Sequence, residues 1–402
     1  MGATLTTISA VAKELYEGSL NKQLNDETVT LKRVERSSEG VSSQVGAKYV
    51  NFPIHTRRNA GVGARREMEA LPTAGNQSTA GCQVGLRYLY GSIRMSGQTL
   101  KLAKTNTQAF ISALELEMNG MKSDLAVDFN RQIYGNGTGA LCIATTAVGG
   151  GGGNTVTCAA GTQWVQLGMK VDLYDATGAT ATWTNRTVTT ITDTVVTIDG
   201  AAFVVVLGDF LVRTGSVGET DGDPQRELTG LGKMVASSGA LYGVTDSVWT
   251  SVIDTNSGTN RALSEGLMIK MADDIRKRGG KTTAIFSNLG VRRSYFNLLV
   301  QQRRVTNTQK FEGGFSGLAF STDDGDVPVV VDTQAKLNSQ YFLNEKEIKL
   351  FQESDWSFMD HDGSMWDRVT GYDAYDATLV KYAEIATHRR NSQGEIQDIT
   401  EG

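Results

Sequence analysis

The sequence predicts an α+β fold built around one long helix, with a small β-barrel or sandwich inserted after it. Three observations carry this. Apolar residues alternate over Val50, Phe52 and Ile54 and again over Val84, Leu86, Tyr88 and Tyr90, the period that sets one face of a strand against a core. From Phe110 the period changes: Leu114, Met118, Met121, Leu125, Phe129 and Ile133 fall three or four apart, so one face of a helix is apolar. Beyond the glycine run Gly149–Gly153, the chain turns rich in Thr and Val and loses helix signal until about Gly215.

The elements come in order. Residues 1–47 read as a polar arm. Its start, "TTISAVAKELYEGSLNKQL", suits a short helix, and "VERSSEGVSSQVG" an extended stretch. So few apolar residues gain little by packing on their own domain, and an external partner is expected to order them. The two alternating runs form the legs of a hairpin spanning 48–103. The material between them is too long for a turn, and structureless loops of this length are usually functional. It carries Arg57, Arg58, Arg65 and Arg66 against Glu67 and Glu69. These charges are candidate contacts to a neighbouring subunit, arginine meeting carboxylate.

The helix opens near Thr105 or Asn106, either of which suits a cap. Running to about residue 134, it is roughly 43 Å long. Phe110, Leu114, Met118, Met121, Leu125 and Phe129 form its expected core stripe. "FNRQIYGNGTGAL" ends it. Its glycines suggest a phosphate loop, but such a loop opens a helix, where free N–H groups and the positive dipole end lie. Here the glycines come after the helix, so Gly135 is expected to stop it in the left-handed C′ position. The boundaries expected are 104–148 for the helix and the start of a peripheral domain, and 149–218 for the insert, with the five glycines as a flexible link. Within the insert, strands are expected at Val171–Tyr174, Thr187–Thr192, Val195–Ile198 and Phe210–Arg213.

A mixed α/β region occupies 219–345. "ALSEGLMIKMADDIRKRGG" is an amphipathic helix, "TTAIFSN" a buried strand, and "LGVRRSYFNLLVQQRRV" a helix with Val291, Tyr295, Leu298 and Leu299 inward. Gly280-Lys281-Thr282 imitates the tail of a nucleotide loop, but Ile275 stands where its first glycine belongs, and helix precedes strand. "VPVVVD", "YFLNEKEIKLF" and a Tyr/Val-alternating strand over the last sixty residues complete the fold. Residues 346–402 return to the peripheral region and end in a polar tail.

Composition bounds the function. Of 402 residues, 40% are hydrophobic and 21% charged, ordinary for a globular chain of two or three domains. No apolar run approaches the ~18–20 residues of a membrane span, so no membrane partner is expected. "MGATLTTISAVAKELYEGSLNKQL" lacks the basic start and apolar block of a signal peptide. Gly2 and Thr6 formally fit a myristoylation pattern, with no polybasic patch after them. Cys82, Cys142 and Cys158 make no CxxC and read as buried thiols of a reduced compartment. The net charge of −5 argues against a broad nucleic-acid-gripping face, though not against a container. "MDHDGSMWD" (Asp360, Asp362, Asp367) lacks the glycine and glutamate of a calcium loop. The histidines His55, His361 and His388 are scattered. With no GxSxG, HExxH or GxGxxG present, no catalytic, cofactor or metal residue is expected, and the doubled arginines (292–293, 303–304, 389–390) read as solvated or interface charges.

The order of these elements resembles the major capsid proteins of tailed double-stranded-DNA phages, whose shared fold is named for phage Hong Kong 97. The residues that carry the resemblance are "YLYGSIRMSGQTLKLAKTNTQAF", "DFNRQIYGNGTGAL", "FSNLGVRRSYFNLLVQQRRV", "FEGGFSGLAF" and "MDHDGSMWDRVTGYDAYDATL". The resemblance implies an N-terminal arm, an E-loop, a spine helix, a peripheral domain and an axial domain. It implies self-assembly through hexamers and pentamers into an icosahedral shell that encloses DNA without sequence-specific binding, in a virion assembled in the host cytoplasm. Some relatives crosslink an E-loop lysine to a neighbour, but no lysine lies between Lys48 and Lys101, so no such bond is expected. An arm starting at Met1 leaves no room for a cleaved scaffolding segment. A separate scaffolding protein and a portal are therefore the expected partners, with a decoration protein possible at the insert. Three alternatives remain open: an encapsulin-like protein-cargo shell, a phosphate-binding enzyme, and a secreted β-rich adhesin.

Overall fold

The computed structural model describes residues 27–38, 49–98, 107–149, 153–158, 161–216, 226–303, 318–322, 325–360 and 366–402. The candidate N-terminal helix, the caps Thr105 and Asn106, Gly150–Gly152, and most of "FEGGFSGLAF" and the calcium-like loop lie outside them.

The chain runs α1 Val29–Arg33, β1 Glu35–Ser37, β2 Tyr49–Arg57, β3 Ser78–Gly85, β4 Arg87–Ser96 and then the spine helix α2, Thr107–Tyr134. The insert comprises β5 Ala140–Ile143, β6 Thr155–Thr157, β7 Lys170–Tyr174, β8 Ala181–Ile191, β9 Val195–Ile198 and β10 Phe210–Arg213. Next come α3 Leu231–Met234, β11 Val252–Asp254, α4 Glu265–Lys277, β12 Ala284–Ser287, α5 Leu289–Arg303, β13 Ala319–Thr322, β14 Gly325–Val331 and β15 Gln340–Leu343. The last elements are β16 Ile348–Gln352, β17 Ser357–Phe358, β18 Asp367–Arg368, β19 Ala374–Thr387 and β20 Gly394–Ile396.

Four sheets organise these. The peripheral sheet is centred on β19, which pairs with β4, β16, β17 and β18, while β1 joins parallel to β16. The E-loop is the two-stranded ribbon β2–β3. The axial sheet has the order β11-β20-β15-β12-β14-β13. The insert's sheet has the order β5-β10-β7-β8-β9-β6, and the Thr145 N–H donates to Thr157 O at 2.9 Å. The chain just past β5 thereby meets β6 and closes the sheet. The insert is a small barrel with its own core, including Val156, Val171, Leu173, Val188, Val196 and Leu211.

Several expectations need correction. The arm is not wholly external: residues 28–37 pack on their own chain, with Leu31 in the main core. The hairpin legs are β2 and β3 alone. At Leu86 the alternation changes phase, so Leu89 and Ile93 of β4 point inward while Tyr88 and Tyr90 are exposed. The barrel begins at Ala140, not 149, because the long-helix exit feeds directly into β5, so Gly149, at the expected boundary, already follows the first barrel strand. The end of the chain is not a tail. β20 is an inner strand of the axial sheet, its three residues all buried; a polar sequence such as "SQGEIQD" conceals a strand flanked on both sides by partners. The spine stripe is also only partly core. Phe129 and Ile133 are buried, but Met118, Met121 and Leu125 are half-buried, and the side chains of Phe110 and Leu114 lie outside the described residues. Packing is densest at the helix's C-terminal end. There Leu125 meets β4 at Gly91, where a Cβ would collide with it.

The helix ends at Tyr134, but its left-handed residues are Gly137 (φ 87°) and Gly139 (φ 76°), not Gly135. Gly135 serves another purpose. Its N–H donates to Gln132 O at 3.0 Å and its carbonyl accepts from Gly232 N at 2.9 Å. A Cβ at Gly232 would stand 2.8 Å from that carbonyl. Backbone meets backbone here, which is why glycine stands at 232; a Cβ at Gly135 would meet only its own helix end, 3.2 Å from Gln132 O. Cys82, Cys142 and Cys158 are buried as expected, but Cys142 and Cys158 are joined in a disulfide across the barrel, leaving Cys82 free, its thiol pushed up to about 11 by burial.

Candidate assembly surfaces and the framework that presents them

Beyond the β2–β3 ribbon the chain closes on itself. The Gly61 N–H donates to Asn59 Oδ1 at 2.7 Å. A Cβ at Gly61 would lie 2.8 Å from Thr73 O and 2.9 Å from Gly75 N. Glycines thus pinch a neck, and residues 62–74 form a knob. Its tip turns at Met68, whose φ of 63° is rare for a non-glycine residue and marks strain at a presented position. Val62, Met68 and Leu71 stand 84%, 101% and 85% exposed.

Two of the charges expected to make the contact, Arg65 and Glu69, are held inside the knob. Arg65 Nε donates to Ala70 O at 3.0 Å and Nη1 to Ala64 O at 3.0 Å. The Arg66 N–H donates to Glu69 Oε2 at 2.8 Å. Arg57 lies 3.7 Å from Asp246 of its own chain. Arg58 and Glu67 are exposed and point to no described partner. The structure places Arg65, Arg66, Glu67 and Glu69 in the knob and Arg57 and Arg58 at the end of β2, and it exposes beside them three apolar residues that the charge pattern left unmarked. The signal that could have found them is the isolated Val, Met and Leu in a polar loop.

Buried networks hold the platform beneath. Asp332, at the end of β14, accepts from Thr30 N at 3.0 Å, Thr30 Oγ1 at 2.6 Å, Asn130 Nδ2 at 3.0 Å and Gln334 N at 2.9 Å. With the Thr30 hydrogen spent on Asp332, the Tyr134 hydroxyl donates to Thr30 at 2.5 Å. Burial and Asp332 keep that phenol protonated. One carboxylate thus ties arm, spine helix and axial sheet. The loop it caps also seats the barrel: Trp164 Nε1 donates to Gln334 O at 3.0 Å and Gln163 Nε2 to Ala335 O at 3.1 Å.

At the spine helix's buried end, Arg131 lies 2.6 Å from Glu227 and 3.0 Å from Asp128, and Arg213 of β10 reaches Asp128 at 3.0 Å. Burial opposes ionisation of Asp128, but Arg131 and Arg213 outweigh it and hold its carboxyl low. Lys381 of β19 is buried 2.8 Å from Asp355, its ammonium 5.5 Å from the ring centres of both Phe129 and Trp356; such stacking is favourable for a cation stripped of water. Arg36 of β1 shares Asp355 at 3.1 Å. Arg390, one of the doubled arginines expected in solvent, is fully buried and donates to the carbonyls of Met234, Gly239, Trp249, Lys233 and Ser238 at 2.9–3.2 Å. Two of those carbonyls end α3, where a cation is favoured.

Among the described residues no group of His, Cys, Asp and Glu could hold a metal ion, and no helix is long and apolar enough to cross a membrane. Where Lys281 was weighed as a nucleotide-loop lysine, α4 ends before it at Gly279 (φ 79°) and the buried strand β12 comes next.

Comparison with known proteins accords with this architecture. Residues 208–394, just under half of the chain, match the family of the SU10 major capsid protein. No curated protein matches. The fold is similar along its whole length to a chain of the cyanophage A-1(L) capsid asymmetric unit, with 13% identity, a TM-score of 0.62, and 99% and 100% of the two chains covered. It is also similar to a chain from Mycobacterium phage Bobi, with 8% identity, a TM-score of 0.50, and 99% of each chain covered. With E-loop, spine helix, peripheral and axial sheets in this order, the chain has the Hong Kong 97 fold, and its residues 208–394 are similar to the SU10 major capsid protein family.

Proposed function

We propose that the chain assembles through hexamers and pentamers into an icosahedral shell around a double-stranded DNA genome, in the host cytoplasm, aided by a separate scaffolding protein and a portal. The observation that carries this is the E-loop knob. A pinched neck projects three apolar side chains that nothing in their own chain covers, and exposed apolar surface of this kind marks an interaction site. Identical copies supply the cover, as arms overlapping neighbours do in closed symmetric assemblies. The family match over residues 208–394 favours a genome over the protein cargo of an encapsulin-like shell.

Expression with and without the scaffolding protein, read by negative-stain microscopy and sedimentation, tests the proposal. Closed shells or six-membered rings are expected, and nucleic-acid content then separates genome from cargo. A stable monomer under both conditions would overturn it. The E-loop holds no lysine, so virion protein is expected to run as one band on a denaturing gel; a ladder of covalent oligomers would contradict that.

A further inference from the structure

The barrel carries a second unmatched apolar surface, at the end away from the spine helix. β5 runs outward from the helix exit, and β10 returns to Arg213, which reaches Asp128 of that helix at 3.0 Å. At the far end Ile143, Val204, Val206 and Leu207 stand 47%, 46%, 56% and 64% exposed. They form one surface because the backbone stitches them together. Ala144 N donates to Asp209 O at 2.7 Å, Gly208 N to Ala144 O at 3.0 Å, and Val148 and Val205 exchange bonds at 2.9 Å. The stretch Ala201–Gly208, "AAFVVVLG", contains no charged or polar side chain. Phe203 and Val205 point into the barrel core, so alternation sends Val204 and Val206 outward. Asp209, the adjoining acid, is buried and holds Val206 N at 2.7 Å. Thr145 and Thr146 are exposed beside this rim and the Arg186 guanidinium holds Ala201 O at 2.8 Å at its edge, but Val204, Val206 and Leu207 themselves offer a partner neither charge nor side-chain hydrogen bonds.

We infer that this rim receives the E-loop knob of a second copy. The inference rests on the shell reading above and names the surface that covers the loop. The knob's tip is aliphatic, and of the charges beside it Arg65 and Glu69 are held within the loop, so its three apolar side chains call for an apolar receptor. Neither surface belongs to any buried cluster of its own chain. Knob on rim is a head-to-tail contact between different surfaces, the kind that closes copies into rings. The barrel, seated on the axial loop through Trp164 and Gln163, is held firmly enough to serve as a receptor.

Two experiments on the full chain, co-expressed with its scaffolding protein, test this. In the first, Met68→Cys and Val206→Cys are combined and assembled shells are mildly oxidised. Chains linked into multimers on a non-reducing gel are expected from the double variant, and neither single variant should give more than a dimer. In the second, Met68→Lys and Val206→Glu are each expected to cut shell yield at least tenfold, and the pair together to recover most of it in low salt. Thermal melting of the unassembled chains controls for folding. If Met68→Lys abolishes shells while Val206→Glu does not and no multimers form, the knob lies on another surface; the inference falls and the shell reading stands. If Met68→Lys leaves shells intact, the inference falls and the shell reading stands; the shell reading falls only if the unaltered chain stays a monomer. Loss of shells with Val206→Glu, without rescue or crosslinking, also overturns the inference and leaves the rim to a different partner such as a decoration protein.

Discussion

The C-terminal end of the spine helix and the tip of the E-loop are opposites made from similar material. From Phe129 to Tyr134 every residue is buried, including Asn130, Arg131 and Gln132. From Val62 to Leu71 every residue is exposed, including Val62, Met68 and Leu71. In the first region polar groups go inside because each meets a fixed partner; in the second apolar groups go outside with none in their own chain. Stability is therefore concentrated where the chain is polar and buried, and assembly where it is apolar and exposed. Substitutions in the two regions should separate cleanly, one lowering the melting temperature of the single chain and the other lowering shell yield.

The largest effect on the chain itself is expected at Arg390. Alanine there removes the donors of five carbonyls at once and leaves them facing a cavity. An unmade buried hydrogen bond costs ~1–3 kcal/mol, so Arg390→Ala is expected to prevent stable folding, as read by yield of soluble chain and by melting. Arg390→Lys tests the geometry, since one ammonium cannot span the carbonyls that a guanidinium fork reaches; recovery of near-native melting would show that charge alone suffices. Arg131→Ala comes next. It strips buried Glu227 of its guanidinium and leaves Asp128 to Arg213 and Gln132, and breaking a buried pair from one side costs ~3–5 kcal/mol. Arg131→Met, which keeps the packing, should not restore it.

Glu384 offers a smaller effect with a sign. Burial raises its carboxyl from the usual 4.5 to about 7, opposed by N–H groups of Thr229 and Ile385 and by Arg87. Its folded value lies above its unfolded one, so ionisation is disfavoured in the folded chain, and stability falls as pH rises from about 4.5 to about 7, then levels. Glu384→Gln should flatten that slope and leave the variant the more stable above pH 7, by on the order of 3 kcal/mol at most. Melting curves between pH 5 and 8 that run parallel for the two proteins would refute this.

How far the sequence could be read obeys the same division. Periodicity placed the spine helix, the axial helices and four barrel strands, because each buries one face and leaves a period behind. It misplaced what tertiary partners decide. β20 is too polar to read as an inner strand, since flanking strands satisfy its backbone while Gln397 donates to Glu395 Oε2 and Lys336 lies 3.5 Å from its other oxygen. Arg390 looks like its neighbour Arg389 until the carbonyls around it are seen. The knob over 62–74 carries no period at all. Its arginines drew attention as charges, yet Arg65 turned inward onto loop carbonyls, and the outward face fell to single apolar residues that composition treats as noise.

The smallest effect on the chain, and the most informative, is expected at Met68. Its side chain stands fully in solvent, so Met68→Asp should shift stability by no more than about 0.5 kcal/mol, as surface changes do. Met68→Gly should even gain slightly, since glycine adopts the left-handed backbone at Met68 without strain. Both variants lose an anchor that a neighbour must cover. If the knob builds the shell, unassembled chains of Met68→Asp will melt like wild type while their shells fail to form, and Met68→Gly will fall between. Equal shell yields for all three would move the burden of assembly off the knob and onto the half-buried methionines of the spine helix, Met118 and Met121, apolar residues that this chain also leaves incompletely covered.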